Sequence, residues 1–270
     1  MRFARHVTRG DTTIITEILT GARRHDPVER FVRRLAAFEP LDAPALAAIR
    51  GAVRAGPRIA VGESRRENLP PEVCILLEGW VCHFKLLGNG RRQITSVVVP
   101  GDFVDFGFLS GLPVQLQFRS TIQGRFGTIP VGHFATLSEQ HPGLMRAALR
   151  ALTTETFIRE ELVMSLGVRS AEERLSHFLC ELQHRLAMVG LAGEDNTFDL
   201  PMTQSDLAEA LGLSTVHVNR TVQRLRRNGL IALGGRRVTL LQPDRLAALS
   251  GFDPSYLGDG PPATPGREKD

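Results

Sequence analysis

The sequence predicts an α+β chain: an N-terminal β-roll, one long helix, then a C-terminal winged helix-turn-helix. Three observations predict it. Short β-rich runs alternate with glycine turns between residues 59 and 129, a helical pattern runs for more than twenty residues from Pro142, and residues 203–230 carry two capped helices around a glycine.

Residues 1–26 are basic and lack apolar periodicity, so they read as a flexible N-terminal extension. From residue 28, Phe31, Leu35, Phe38, Leu46 and Ile49 mark two short helices separated by the turn signals of EPLDAP. The strands follow as VCILLEG, WVCHFKLL, a GNG hairpin turn, RQITSVVV, a PGDF loop, FRSTIQ and RFGTIP. Helical spacing returns after Gly132, and Leu144, Ala148, Ala151, Leu152, Thr156, Ile158, Leu162 and Val163 line the long helix. A helix of that length either zips against a second copy of itself, which symmetry in soluble oligomers favours, or packs on its own barrel. Gly167 interrupts it, 167–170 is a natural hinge, and Ser170 caps a further helix to about Ala187. The boundaries are therefore an extension (1–26), a β-roll sensor (27–140), a long dimerisation helix (141–166), a winged helix-turn-helix (167–250) and a flexible tail (251–270).

Within residues 203–230, Thr203 caps the first helix, Asp206 favours its positive end, and Leu207, Ala208 and Leu211 form its apolar face. Gly212 ends it, Leu213 is the buried residue of the turn, and Ser214 caps the second helix, held down by Val218, Val222 and Leu225. Thr215, Val216, His217, Asn219, Arg220, Gln223, Arg224 and Arg227 are left to face outward. Most of these are types that hydrogen-bond base edges and phosphates. LIALGGRRVTLL then reads as two short strands of a wing, whose Arg236 and Arg237 either touch phosphate or sit on a solvated turn.

Charge and composition narrow the function. Residues 201–245 hold seven arginines against three acids, a local net charge of +4 that attracts phosphate. The 270-residue chain is 42% hydrophobic and 23% charged, as in soluble globular proteins of about two domains, each burying its own core. No apolar run approaches the roughly 20 residues that cross a bilayer, so no membrane partner is expected and a cytoplasmic location fits. Cys74, Cys82 and Cys180 are dispersed, without metal or disulfide spacing. Cys82 and His83 adjoin on one strand, which reads as a core cysteine beside a surface histidine. No GxSxG, P-loop, HExxH or paired carboxylate set marks an enzyme.

The roll with its PGDF loop, the long helix and TQSDLAEALGLSTVHVNRTVQRLRRNGLI together resemble the Crp/Fnr family of bacterial transcription regulators, over roughly residues 28–249. The VHVNRT form is similar to an unassigned branch of such regulators. The resemblance implies a cyclic-nucleotide-binding-like sensor, a coiled-coil homodimer, and a winged helix-turn-helix that binds double-stranded DNA and recruits or blocks RNA polymerase. Where well-known members carry a recognition glutamate this chain has Val216, while their arginine is matched by Arg220. Arginine can still bond guanine O6 and N7, but valine can only touch a thymine methyl, so the half-site is expected to differ from TGTGA or TTGAT.

Family members that bind cyclic AMP use a glutamate for the ribose and an Arg-Ser pair for the phosphate. Phe106 stands at the glutamate's place and Leu116 and Gln117 at the pair's, while Arg119 and Ser120 fall about three residues late on the following strand. Cyclic AMP is therefore not expected, since a buried phosphate without its arginine is costly. Three scattered cysteines do not make the donor set of an iron–sulfur cluster, and Cys82 and His83 point apart, which argues against haem; no cofactor is identified. If an effector exists, Phe103, Phe106, Phe108 and Phe118 would line an apolar pocket in the roll for an uncharged molecule. Competence without a ligand stays open, as does a second function in which the winged helix contacts protein instead of DNA.

Overall fold

The structure, a computed structural model, describes residues 26–66, 72–111 and 116–258. Apart from Asp26, the expected extension lies outside the described residues. Asp26 caps the first helix, α1 (Pro27–Phe38), by accepting from Val28 N at 2.9 Å, and Asp42 caps α2 (Ala43–Ala52) through Ala45 N at 2.8 Å.

Among the described residues, seven strands then form two sheets. One sheet is ordered β1 (Arg54–Ile59), β7 (Gly124–Pro130), β3 (Glu72–Glu78); the other β2 (Gly62–Arg66), β6 (Leu116–Ser120), β4 (Val81–Leu86), β5 (Arg92–Val98). Alternation along β3 explains why this strand is buried on both faces. Cys74 and Leu76 meet Val81, Val98, Val104 and Phe118 between the sheets, while Val73, Ile75 and Leu77 turn outward against α1 and its neighbours. The chain leaves β3 at Gly79 with φ +87°, pressed so close to the start of β7 that a Cβ would lie 2.6 Å from the Gly124 Cα.

A single turn, α3 (Gly107–Ser110), and α4 (Val131–Gln140) complete the roll, and α5 (Gly143–Gly167) runs across it for 25 residues. Leu144, Ala147, Ala148 and Ala151 of α5 are buried against the α1 side of the roll. Its remaining length carries Leu149, Phe157, Val163 and Met164 exposed. The next helix, α6 (Ala171–Met188), opens on the expected Ser170 cap, reinforced by Glu173 reaching back to Ser170 N at 2.6 Å. The break at 167–170 is pinned. Arg169, 8% exposed, donates to Ser165 Oγ at 2.8 Å, Glu161 Oε2 at 2.8 Å and Ser250 O at 3.1 Å.

The winged module follows as β8 (Thr197–Asp199), α7 (Gln204–Leu211), α8 (Thr215–Arg227), β9 (Ile231–Gly234), β10 (Arg237–Leu240) and α9 (Pro243–Ser250), its sheet ordered β8-β10-β9. Two separate cores were expected, and the packing differs. Trp80, Cys82, Phe84, Ile94, Val97 and Val99 of the roll share one apolar cluster with Leu175, Leu179, Phe198, Leu207, Leu211, Val218 and Leu225. The roll and the winged module therefore bury a common interface.

Three further expectations are corrected. His83 is buried, not on the surface, because both faces of β4 are covered: Cys82 faces the winged module, while His83 pairs with Ser96, which donates to Glu155 of α5 at 2.8 Å. Burial, with Arg159 nearby, pushes the His83 imidazole down to about 4, so it is neutral at neutral pH. The expected tail begins as ordered chain: a 3₁₀ turn at Pro254–Leu257 buries Leu257, and Tyr256 donates to Glu181 at 3.1 Å. Beyond residue 258 the tail lies outside the described residues.

The four phenylalanines do not line one pocket. Phe103, Phe106 and Phe108 cluster together and meet Phe31 and Phe134 edge-on between the roll and its helices, and Phe118 packs on Phe126 between the sheets. For Phe118, on β6, period-two alternation tells which face it takes but not which core that face meets; Phe103, Phe106 and Phe108 lie on a loop and on α3, where no strand period applies.

Candidate DNA-binding interface

The recognition surface is built from local caps. Thr203 Oγ1 accepts from Asp206 N at 3.1 Å while Asp206 Oδ2 accepts from Thr203 N at 2.8 Å, a reciprocal box that fixes the start of α7. Gly212 ends α7 at φ +64°, the left-handed region, and a Cβ there would meet the Leu166 side chain at 2.6 Å. Leu213 is half-buried in the turn rather than fully buried. Ser214 Oγ then accepts from His217 N at 3.2 Å and opens α8. Loss of either cap costs about 1 kcal/mol.

Helical periodicity sorts the outward residues. Val218, Thr221, Val222 and Leu225 are buried, and directly opposite them Val216, Arg220, Gln223 and Arg227 form one exposed ridge. Asn219 lies about 60° from that ridge and His217 about 100°, near its edge. Thr215 is exposed at the first turn. Arg224 is also exposed, and its guanidinium reaches Glu172 of α6 at 3.3 Å, a contact no sequence signal announced. On the wing, Arg236 is exposed at the turn, while Arg237 lies 3.5 Å from Asp199 in an exposed pair. The structure thus brings Val216, Arg220, Gln223 and Arg227 together with Asn219 beside them, leaves Thr215 at the first turn and His217 on the flank, uses Thr203 and Ser214 as caps, and displaces Arg236 onto the wing.

A family model described as a Crp-like helix-turn-helix domain matches residues 173–249. The chain is 34% identical to the nitrogen fixation regulation protein FixK of Bradyrhizobium diazoefficiens, over 68% of this chain and 76% of the relative. The chain belongs to the Crp/Fnr family. The transcriptional activatory protein AadR of Rhodopseudomonas palustris is also 34% identical, over 73% of this chain and 80% of that protein. Among solved structures, FixK2 from Bradyrhizobium japonicum aligns with a TM-score of 0.64 at 26% identity, covering 74% of this chain and 98% of that one. A CRP-family transcriptional regulator from Thermus thermophilus, TTHB099, aligns with a TM-score of 0.56 at 22% identity, over 73% and 97% of the two chains, and supports the fold.

As a Crp/Fnr regulator the protein is a DNA-binding transcription regulator and not an enzyme. Its cysteines suit packing. Burial pushes the Cys82 and Cys180 thiols up to about 12, so both are protonated at neutral pH, and Cys74 is buried between the sheets. Among the described residues no group of three potential metal ligands converges. Cys82 and Cys180 belong to the apolar cluster shared by the roll and the winged module, and Cys74 to the one between the sheets. No helix among the described residues is long and apolar enough to cross a membrane.

Proposed function

We propose that two copies of this regulator bind a twofold-symmetric DNA site, each reading one half-site with the ridge of α8. The ridge carries this reading: it is a basic, hydrogen-bonding stripe set opposite a fully buried face and turned to solvent. Arg220 is placed to fork onto guanine, Asn219 and Gln223 to reach neighbouring edges, and Val216, 59% exposed, to meet a thymine methyl. Thr203, Ser214, Thr215, His217, Arg224 and Arg236 take phosphate or flanking contacts.

The exposed apolar stripe of α5 supports a homodimer, because Leu149, Phe157 and Met164 recur about every seven residues on the side away from the roll. Half-sites then lie about one DNA turn, roughly 34 Å, apart. We read residues 27–140 as the sensor, 141–166 as the dimer helix and 167–250 as the DNA-binding unit, working in the cytoplasm with RNA polymerase as the family's partner. Any effector is something other than cyclic AMP. Arg119 is turned away from the space between the sheets, toward α7, and apolar side chains, Cys74, Leu76, Val98 and Phe118 among them, fill that space.

Titration of a bound genomic fragment in rising salt tests the DNA contact. If the dimer neutralises six or more phosphates, affinity falls about a thousandfold or more between ~50 and ~200 mM salt. Binding that ignores salt would instead favour protein contacts by the winged helix.

A further inference from the structure

We propose that Arg92, Gln93 and Arg119 of the roll are positioning residues for DNA recognition: they grip α7 and thereby set the angle at which α8 meets its half-site. The inference rests on the DNA-binding reading above and names the residues that aim the recognition helix.

The grip has three parts. Arg92, at the start of β5, forks onto Glu209 of α7, with Nε to Oε2 at 2.6 Å and Nη2 to Oε1 at 2.8 Å, and its guanidinium lies 5.0 Å from the Phe84 ring centre. Gln93 Nε2 donates to the Glu209 carbonyl at 2.6 Å and lies 3.4 Å from that of Ala210. Those carbonyls belong to the last turn of α7, which has no helical donors left to satisfy them. At the other end of α7, Arg119 Nη1 sits 3.5 Å from Asp206 Oδ1. Asp206 is 1% exposed, and its Oδ1 has no hydrogen-bond partner among the described residues, so Arg119 supplies the compensating charge for a buried carboxylate whose other oxygen is used in the cap.

These ties differ in kind from the apolar packing beneath them. Phe84 and Ile94 meet Leu207, Ala208 and Leu211 in one cluster, and an apolar contact of that sort tolerates small rotations. A planar two-point fork and directed bonds to carbonyls do not. The turn at Gly212 and the shared face of Leu207, Val218 and Val222 carry the position of α7 to α8. The roll therefore contacts the helix-turn-helix directly, by a route that bypasses the connection at 167–170. In a twofold dimer the separation of the two ridges follows from this contact, so the grip governs how sharply half-site spacing is read.

The experiment compares the wild type with R92A/Q93A and with the charge swap R92E/E209R, all as full chains. Hydrogen exchange without DNA reads the grip by itself: amides of α7 exchange faster in R92A/Q93A and recover toward wild type in the swap. Binding is then measured on symmetric sites whose spacer is lengthened or shortened by one base pair. R92A/Q93A binds the best-spaced site about fivefold or more weakly and discriminates less between spacers, with base preference inside each half-site unchanged, and the swap restores sharp spacing. Unchanged exchange in α7, an unchanged spacing profile in R92A/Q93A, or a swap that behaves like R92A/Q93A overturns the proposal. Because exchange is read without DNA, a lost grip is told apart from a failure of the DNA-binding reading.

Discussion

Arg220→Ala lowers affinity for the operator by about 1–3 kcal/mol per half-site and relaxes selectivity at one base pair while leaving the others unchanged. Arg220 stands at the centre of the exposed ridge, one turn into α8, where a long fork reaches deepest into a major groove. The buried face behind it, formed by Val218, Thr221, Val222 and Leu225, is untouched by truncation, so folding is preserved and the loss is one of contact. Arg220→Lys keeps the charge but not the fork, and so recovers phosphate attraction without base selectivity. Mobility shifts on the operator and its single-base variants check this, and a loss spread evenly over all positions would reassign Arg220 to the backbone.

Phe157→Glu separates the two copies. Phe157 is 41% exposed in a single chain, Leu149, Val163 and Met164 are exposed on the same helix, and full burial of such side chains contributes about 1.5–3 kcal/mol each. A twofold axis would place each new carboxylate near its mate, and like charges forced together at an interface cost several kcal/mol. Sedimentation at micromolar concentration is expected to show a monomer, and operator affinity to fall about a hundredfold or more, since one half-site binds without its neighbour. Phe157→Leu keeps the dimer. A Phe157→Glu protein that sediments like the wild type would assign the α5 stripe to another role.

The parts of the fold that could be read in advance are those set by near neighbours. The caps at Thr203, Ser170 and Ser214 and the left-handed Gly212 all depend on residues within a turn or two, and each stands where the spacing placed it. Strand β1 was hidden because RAGPRI has no apolar alternation, as befits an edge strand that tolerates Pro57. The surroundings of His83 and Phe118 escape the sequence because the element that covers a strand face is chosen by tertiary packing, and those of Phe103, Phe106 and Phe108 because they lie on a loop and a short helix with no strand period. The same limit hid the roll's grip on α7: Arg92 and Glu209 lie 117 residues apart, and no local pattern announces their pairing. Of the residues proposed to contact DNA, those of the ridge are legible from their helical period. The aim of the ridge is not, because aim is fixed from outside the helix.

The most direct measurement is selection of bound sequences from a random DNA pool by the purified full-length protein. The expected result is a twofold-symmetric motif with half-site centres about 10 base pairs apart, a guanine facing Arg220 and an A·T pair opposite Val216, distinct from TGTGA and TTGAT. An asymmetric motif, or no enriched motif at all, would contradict the claim that two copies read DNA through the ridge of α8.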